Sequence, residues 1–226
     1  MSEENEAQTG LDADVVCAPC PWANSERQLV NPTFETFSSV LDPADHTTGG
    51  GSASAIAGAM AAALVAMVAE LSVDKKGLES RAFYEALCAK GRRLSVDLMD
   101  GSTQDQQAFA AVGDAYRMPR RSEEERGVRQ QAILAAWILA TQIPLANAER
   151  CARILDLVSE LEGRSNRSAA SDLSCAARLA RAGLHGCLDN VDINLPSIDD
   201  LATADELSQR ARVLRAQHAG EPSAHH

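Results

Sequence analysis

Residues 49–70 read GGGSASAIAGAMAAALVAMVAE, three glycines followed by a long run of small apolar side chains. The part from Ala53 to Ala69 carries no charge, and nine of its 17 residues are alanine. A run of this length approaches that of a membrane span, but alanine gains little free energy on transfer into lipid. Small side chains instead suit a helix whose neighbours approach closely. We therefore predict a buried core helix over about residues 52–73.

Helix signals continue along the rest of the chain, and no segment shows the alternating pattern of a strand. Asn31-Pro32 is typical of a helix start, because asparagine caps the first turn and proline fits the first helical position. Ser122 followed by Glu125 predicts a capping box, and residues 203–206 repeat that pattern. The predicted helices cover residues 33–41, 52–73, 78–99, 104–116, 122–143, 144–161, 171–188 and 203–219.

Three features separate neighbouring helices in this prediction. Gly101-Ser102 predicts an interruption, since glycine weakens a helix interior. Pro144 predicts the end of one helix and the start of the next, because proline lacks the N–H of the helical hydrogen bond. Residues 190–196 predict an extended segment. The fold class is therefore all-α, an antiparallel bundle of about eight helices. Its single domain covers residues 31–220, between an acidic extension, residues 1–30, and a tail, residues 221–226.

The composition limits the partners and the compartment that we expect. The formal net charge is -11, from 21 Lys and Arg against 32 Asp and Glu, which disfavours binding to nucleic acid. Six scattered cysteines and the lack of a secretory signal pattern predict a cytoplasmic protein. Cys17 and Cys20 have no second pair to complete a zinc site, so we predict no metal. An alanine-rich core with 4% aromatic residues favours a homodimer, and we expect no association with a membrane.

Six short motifs follow one another along the chain. They are Gly49-Gly50-Gly51-Ser52, Asp105-Gln106-Gln107-Ala108-Phe109, Arg117-Met118-Pro119-Arg120, Ile143-Pro144-Leu145, Asn166 with Ser171-Asp172-Leu173, and Asn190-Val191-Asp192-Ile193-Asn194-Leu195. In this order, the motifs resemble the cyclodeaminase/cyclohydrolase family over about residues 34–198. That family includes the cyclodeaminase part of formiminotransferase-cyclodeaminase and stand-alone methenyltetrahydrofolate cyclohydrolases. With 226 residues the chain has no room for a formiminotransferase half, so it looks like the stand-alone form.

The resemblance implies an all-α homodimer that binds a one-carbon derivative of tetrahydrofolate near the subunit interface. Members of the family form the N5,N10-methenyl bridge of the folate by cyclodeamination, or open it by hydrolysis. Both reactions need a group that moves protons, and a nearby anion stabilises the methenyl cation. The residues do not decide between the two reactions. The alternative function is a folate-binding or scaffolding helical dimer without catalysis.

Asp105 is the catalytic residue that the resemblance implies, because it matches the acidic position that opens the family's Asp-x-x-Ala-Phe motif. The residues alone favour another interpretation, in which Asp105 caps a helix that begins after Gly101-Ser102. The resemblance also implies that Gly49, Gly50, Gly51 and Ser52 bind substrate. Backbone N–H groups at a helix start can meet an anion or a carbonyl oxygen, although a glycine run is equally typical of a flexible linker.

Four basic residues are candidates for binding the carboxylates of a folate. Arg117 and Arg120 flank Met118-Pro119 at a predicted helix end, and a guanidinium suits a carboxylate. Lys75 and Lys76 follow the alanine-rich helix and are candidates for the glutamate tail. For all four, the alternative is ordinary solvated charge.

Four short polar residues suit the hydrogen-bonding edge of a pterin: Asn166, Asp172, Asn190 and Asn194. The alternative for each is the capping of a helix or a turn, which asparagine and aspartate favour. His46 lies in a predicted loop and His185 on a predicted helix. We assign no role to either, because a lone histidine of this kind is more often structural or solvated.

Overall fold

Six α-helices and no strand make up residues 32–218, the part of the chain that the computed structural model describes. The helices are α1 (Pro32–Leu41), α2 (Gly50–Glu70), α3 (Arg81–Arg117), α4 (Glu123–Leu161), α5 (Ala170–Asn194) and α6 (Leu201–Gln217), with 3-10 turns at Arg167–Ala169 and Leu195–Ser197. The all-α fold class is confirmed, whereas the prediction of eight helices is wrong. The acidic extension, with Cys17 and Cys20, lies outside the described residues.

Helix α2 is the core helix that its composition predicts, and it packs against α3, α4 and α5. Glycines allow the helix axes to approach closely. A Cβ on Gly58 would lie 2.6 Å from Cys151 Sγ of α4, and one on Gly91 would lie 2.9 Å from the carbonyl oxygen of Ala62. By length and hydropathy α2 also meets the limits of a membrane span, but 61% of its most apolar window is buried inside the bundle.

Helix α3 is continuous, and the predicted interruption at Gly101-Ser102 is wrong. Gly101 is buried against α4, where a Cβ would overlap the side-chain amide of Asn147. The amide Nδ2 of Asn147 donates to the carbonyl oxygen of Gly101 at 3.2 Å. Gly101 therefore allows α3 and α4 to approach closely, and it does not break α3. It follows that Asp105 lies within α3, so its interpretation as an N-cap is also wrong.

Helix α4 begins at the predicted capping box and continues through Pro144. Ser122 Oγ accepts from the Glu125 N–H at 3.1 Å, and Glu125 Oε2 accepts from the Ser122 N–H at the same distance. Pro144 has no N–H to donate to the carbonyl oxygen of Ala140. The side chain of Asn194 supplies a donor to that oxygen at 2.8 Å. The predicted helix boundary at Pro144 is therefore wrong, because α5 provides the missing hydrogen bond.

Helix α5 extends to Asn194, so the extended segment predicted for residues 190–196 is wrong. Its core-facing side continues the helical period through Leu184, Leu188 and Val191, all fully buried. This burial outweighs the preference of the asparagines for turns. The N-cap of the last helix lies three residues earlier than the capping box at Thr203 predicts, because Asp200 Oδ1 accepts from the Ala202 N–H at 3.2 Å and caps α6.

Candidate active site

The start of α2, the middle of α3 and the end of α5 meet at Gly51. A Cβ on Gly51 would lie 2.6 Å from both carboxyl oxygens of Asp105 and 2.7 Å from Nδ2 of Asn190. Only glycine leaves space for both side chains here. Gly49 and Gly50 have no atom within 4 Å of such a Cβ, so their positions impose no comparable limit. The structure thus brings together the glycine run, Asp105 and Asn190.

Ser52 holds the carboxyl group of Asp105. The hydroxyl of Ser52, which is fully buried, lies 2.9 Å from Asp105 Oδ2 and 3.1 Å from the carbonyl oxygen of Ser102. Burial raises the pKa of Asp105 above its usual value, and the side-chain and backbone hydrogen bonds from Ser52 lower it only in part. A carboxyl group in this state accepts and releases a proton closer to neutral pH than an exposed aspartate does.

Asp105 and Asn190 face a cavity of about 370 Å³. This volume lies within the range of small-molecule sites. Apolar side chains form part of its lining: Phe109, Trp137, Ala140 and Ile193. The polar part consists of His46, Thr47, Thr48, Gly49, Asp105, Gln106, Asn190 and Asn194. A carboxyl group beside aromatic and apolar side chains suits a ligand that is planar and partly cationic.

Gln106 of α3 forms hydrogen bonds with the loop of residues 42–49 and with helix α1. Its Oε1 accepts from the hydroxyl of Thr36 at 2.9 Å, and its Nε2 donates to Thr47 Oγ1 at 3.0 Å. Thr47 in turn donates from its hydroxyl to Asp45 Oδ1 at 2.6 Å, a bond that lowers the pKa of Asp45. These contacts hold the part of the loop that lines the cavity.

Sequence reasoning missed several lining residues. The sequence assigns no role to His46, yet this residue lies in the lining, whereas His185 is exposed on α5. Gln106 and Phe109 belong to the motif that carries Asp105, and a spacing of one helical turn is the signal that could have placed Phe109 on the same face. Trp137 has no comparable signal, since only the packing of α4 beside α3 brings it to the cavity.

The chain matches known proteins over most of its length. The sequence model of the family described as formiminotransferase-cyclodeaminase matches residues 33–213. The chain belongs to the formiminotransferase-cyclodeaminase family. The resemblance drawn from the six motifs is thereby confirmed.

Known proteins with two different names are similar to this chain. A methenyltetrahydrofolate cyclohydrolase of Methylorubrum extorquens is 37% identical over 83% of this chain and 90% of its own length. A formimidoyltransferase-cyclodeaminase of Sus scrofa is 30% identical over 86% of this chain, which spans only 36% of that relative. The crystal structure of formiminotetrahydrofolate cyclodeaminase from Thermotoga maritima is 28% identical, with a TM-score of 0.69 over 84% of this chain and 90% of that one.

Other residues that the family motifs single out lie away from the cavity. Helix α2 has 21 residues and is about 30 Å long. Asn166 lies beyond its far end, where its backbone N–H donates to Ser72 Oγ at 2.9 Å and its Nδ2 to the Leu71 carbonyl at 3.1 Å. Asp172, in the first turn of α5, and the exposed Lys75 and Lys76 belong to the same end.

The two arginines are also outside the cavity lining. Arg117 ends α3, about 18 Å along the helix from Asp105, and pairs with Asp114. Arg120 is exposed in the link to α4. A role for these residues in binding substrate stays a prediction. Within residues 32–218, no cluster of three His, Cys, Asp or Glu side chains is placed to hold a metal ion.

Proposed function

We propose that this protein acts on the one-carbon bridge between N5 and N10 of tetrahydrofolate, and that it opens the methenyl bridge by hydrolysis. The observation that carries the proposal is Asp105, a half-buried carboxyl group with a raised pKa on the wall of a ligand-sized cavity. The name of the Methylorubrum extorquens relative, which matches over most of both chains, supports the choice of hydrolysis.

Asp105 acts first as an anion beside a cation. The methenyl bridge carries a positive charge, so an ionised carboxyl group next to it lowers the free energy of the bound substrate and holds the bridge carbon in place. Ser52 keeps the carboxyl group from turning away, because it hydrogen-bonds to Oδ2. The pKa of Asp105 is raised because burial makes its charged form less favourable in the free protein. A cationic substrate stabilises that charged form and so offsets the effect of burial.

Asp105 then moves a proton during the reaction. Water adds to the bridge carbon while the carboxylate accepts one of its protons, and a tetrahedral carbon forms between the two nitrogens. The carboxyl group next gives its proton to the departing nitrogen as the C–N bond breaks. The remaining hydroxyl proton passes to solvent as the carbonyl forms. The products are a formyl group on the other nitrogen and one released proton.

Cyclodeamination is the second candidate, favoured by the structural similarity to the Thermotoga maritima cyclodeaminase. In that reaction N10 attacks a formimino carbon and ammonia leaves. The formimino nitrogen takes one proton from solvent, and the same carboxyl group would take the proton from N10 and give it to that nitrogen, which then leaves as ammonia from the methenyl cation. The carboxyl group thus moves a proton from the attacking atom to the departing nitrogen in both reactions.

The test is spectroscopic. Methenyltetrahydrofolate absorbs in the near ultraviolet, and we expect the wild type to remove that absorbance faster than buffer alone. Asp105→Asn should lower kcat by at least a hundredfold, because its amide accepts no proton. Asp100→Asn is the matched control, an exposed aspartate on the same helix outside the cavity lining. An appearance of absorbance with formimino substrate alone would favour cyclodeamination. A folded protein inactive on both substrates would exclude both reactions.

We also propose that the protein is a homodimer in the cytoplasm. Phe109 is 56% exposed and Ile193 is 76% exposed beside the cavity, which leaves large apolar surface at its mouth for substrate or a second subunit to cover. Sedimentation equilibrium measures the mass directly, and a species of 24.0 kDa at every concentration would contradict the dimer.

A further inference from the structure

The backbone of α4 lacks one hydrogen-bond donor next to the cavity. In a regular helix the N–H of residue 144 would donate to the carbonyl oxygen of residue 140. Pro144 has no N–H, and Ala140, whose carbonyl oxygen is affected, is only 4% exposed. A buried carbonyl without a donor is unfavourable. Ala140 also lines the cavity, so this irregularity lies in the wall of the candidate active site.

Asn194 supplies the missing donor from another helix. Its side chain is buried, and its Nδ2 donates to the Ala140 carbonyl oxygen at 2.8 Å. Because a carbonyl oxygen accepts but cannot donate, this bond fixes which end of the Asn194 amide faces α4. The second hydrogen of Nδ2 is then directed to Oδ1 of Asn190, at 3.4 Å and one helical turn earlier on α5. Both hydrogens of this nitrogen thus have acceptors inside the protein.

The orientation of Asn190 follows from that of Asn194. With Oδ1 of Asn190 turned to Asn194, its Nδ2 points the other way, toward α2. Nδ2 of Asn190 and both carboxyl oxygens of Asp105 lie within 2.7 Å of one point, the position of a Cβ on Gly51. Asn190 therefore presents N–H donors on the side of the cavity where the carboxyl group lies.

We propose that Asn194 is a positioning residue, whose side-chain amide replaces the backbone N–H that Pro144 lacks and thereby fixes the amide of Asn190 beside Asp105. The backbone part of this inference is independent of the reaction. Only its kinetic consequence rests on the proposed function.

A double-mutant cycle tests the backbone part. Pro144→Ala restores an N–H that can donate to the Ala140 carbonyl, which makes the Asn194 donor dispensable. Asn194→Ala should therefore lower the midpoint of chemical unfolding in the wild type, and lower it by less than half as much in the Pro144→Ala background. Equal losses in the two backgrounds would overturn the inference. Asn166→Ala, at the far end of α2, is the matched control and should cause the same loss in both backgrounds.

The second measurement is a crystal structure of Asn194→Ala/Pro144→Ala, in which the backbone is repaired but Asn190 has lost its partner. We expect the Asn190 amide to leave its wild-type position. An unchanged Asn190 would overturn the positioning role, whether or not the protein has the proposed activity.

Kinetics complete the test. In the same double variant we expect kcat to fall at least fivefold with a smaller change in KM, although the unfolding midpoint has recovered. Recovery of kcat together with stability would also overturn the positioning role. A wild type without turnover would remove the proposed function instead, and the unfolding and crystallographic results would still decide the inference.

Discussion

Ser52 and Asp105 are 53 residues apart in the chain, yet the hydroxyl of Ser52 donates to Asp105 Oδ2 at 2.9 Å. This bond joins the start of α2 to the middle of α3 and opposes the effect of burial on the carboxyl group. Burial raises the pKa of Asp105, and the two hydrogen bonds from Ser52 lower it. The protonation of Asp105 therefore depends on a residue from the glycine motif.

Ser52→Ala should move the acid limb of the activity profile to higher pH. The variant removes a hydrogen bond that favours the charged form, so the pKa of Asp105 rises further. Hydrolysis needs the ionised form, and a higher pH is then required to reach the same rate. The measurement is the pH dependence of kcat/KM. Ser54→Ala is the control, since Ser54 donates to the Gly50 carbonyl within its own helix, and a shift of equal size in this variant would contradict the explanation.

Asp105→Asn should make the protein more stable at neutral pH while it abolishes turnover. A group whose pKa is raised on folding adds to stability fully below its unfolded pKa, and this contribution is lost as pH rises through the folded pKa. The amide does not ionise, so we expect the free energy of unfolding at pH 7 to increase by about 0.5–2 kcal/mol. Below the usual pKa of 3.8 the difference from wild type should shrink. Urea unfolding of both proteins at pH 7 and below pH 3.8 measures the difference in stability. A variant less stable than wild type at pH 7 would refute the prediction.

Gly51→Ala should disable the site with little effect on the rest of the fold. The new Cβ would lie within 2.7 Å of both the carboxyl group of Asp105 and the amide of Asn190, so both side chains must move. Gly50→Ala adds the same atom one residue earlier, where nothing lies within 4 Å. We expect kcat/KM to fall at least tenfold more in Gly51→Ala than in Gly50→Ala, with helical circular dichroism retained in both. Similar losses in the two variants would mean that crowding at Gly51 is not the cause.

Gln106→Ala should weaken substrate binding more than it slows the chemical step. Without this side chain the loop of residues 42–49 loses its contact from Thr47 to α3, and Thr36 loses an acceptor. We expect KM to rise about threefold to tenfold, which corresponds to roughly 0.7–1.4 kcal/mol of binding. Gln107→Ala changes the exposed neighbour on the same helix and serves as the control. Steady-state kinetics separate KM from kcat, and an unchanged KM would show that the loop does not contribute to binding.

The motifs predict only part of the site around Asp105. The resemblance to the family singles out the glycine run, the Asp-x-x-Ala-Phe motif and Asn190, and these meet in one place. Asn166 and Asp172 come from motifs of the same kind but lie at the other end of the bundle. Motif order cannot distinguish the two ends, because a helix of 21 residues carries its two termini about 30 Å apart.

The all-α fold class, the core role of α2 and the family can be predicted from the sequence, because they follow from local periodicity, residue size and a series of motifs along one chain. Whether Gly101 and Pro144 end their helices depends instead on contacts between helices that are distant in the sequence. Asn147 donates to the Gly101 carbonyl from 46 residues away, and Asn194 donates from 54 residues away to the Ala140 carbonyl, which Pro144 leaves without a backbone donor. The pKa of Asp105 was likewise beyond the sequence, because burial between packed helices raises it.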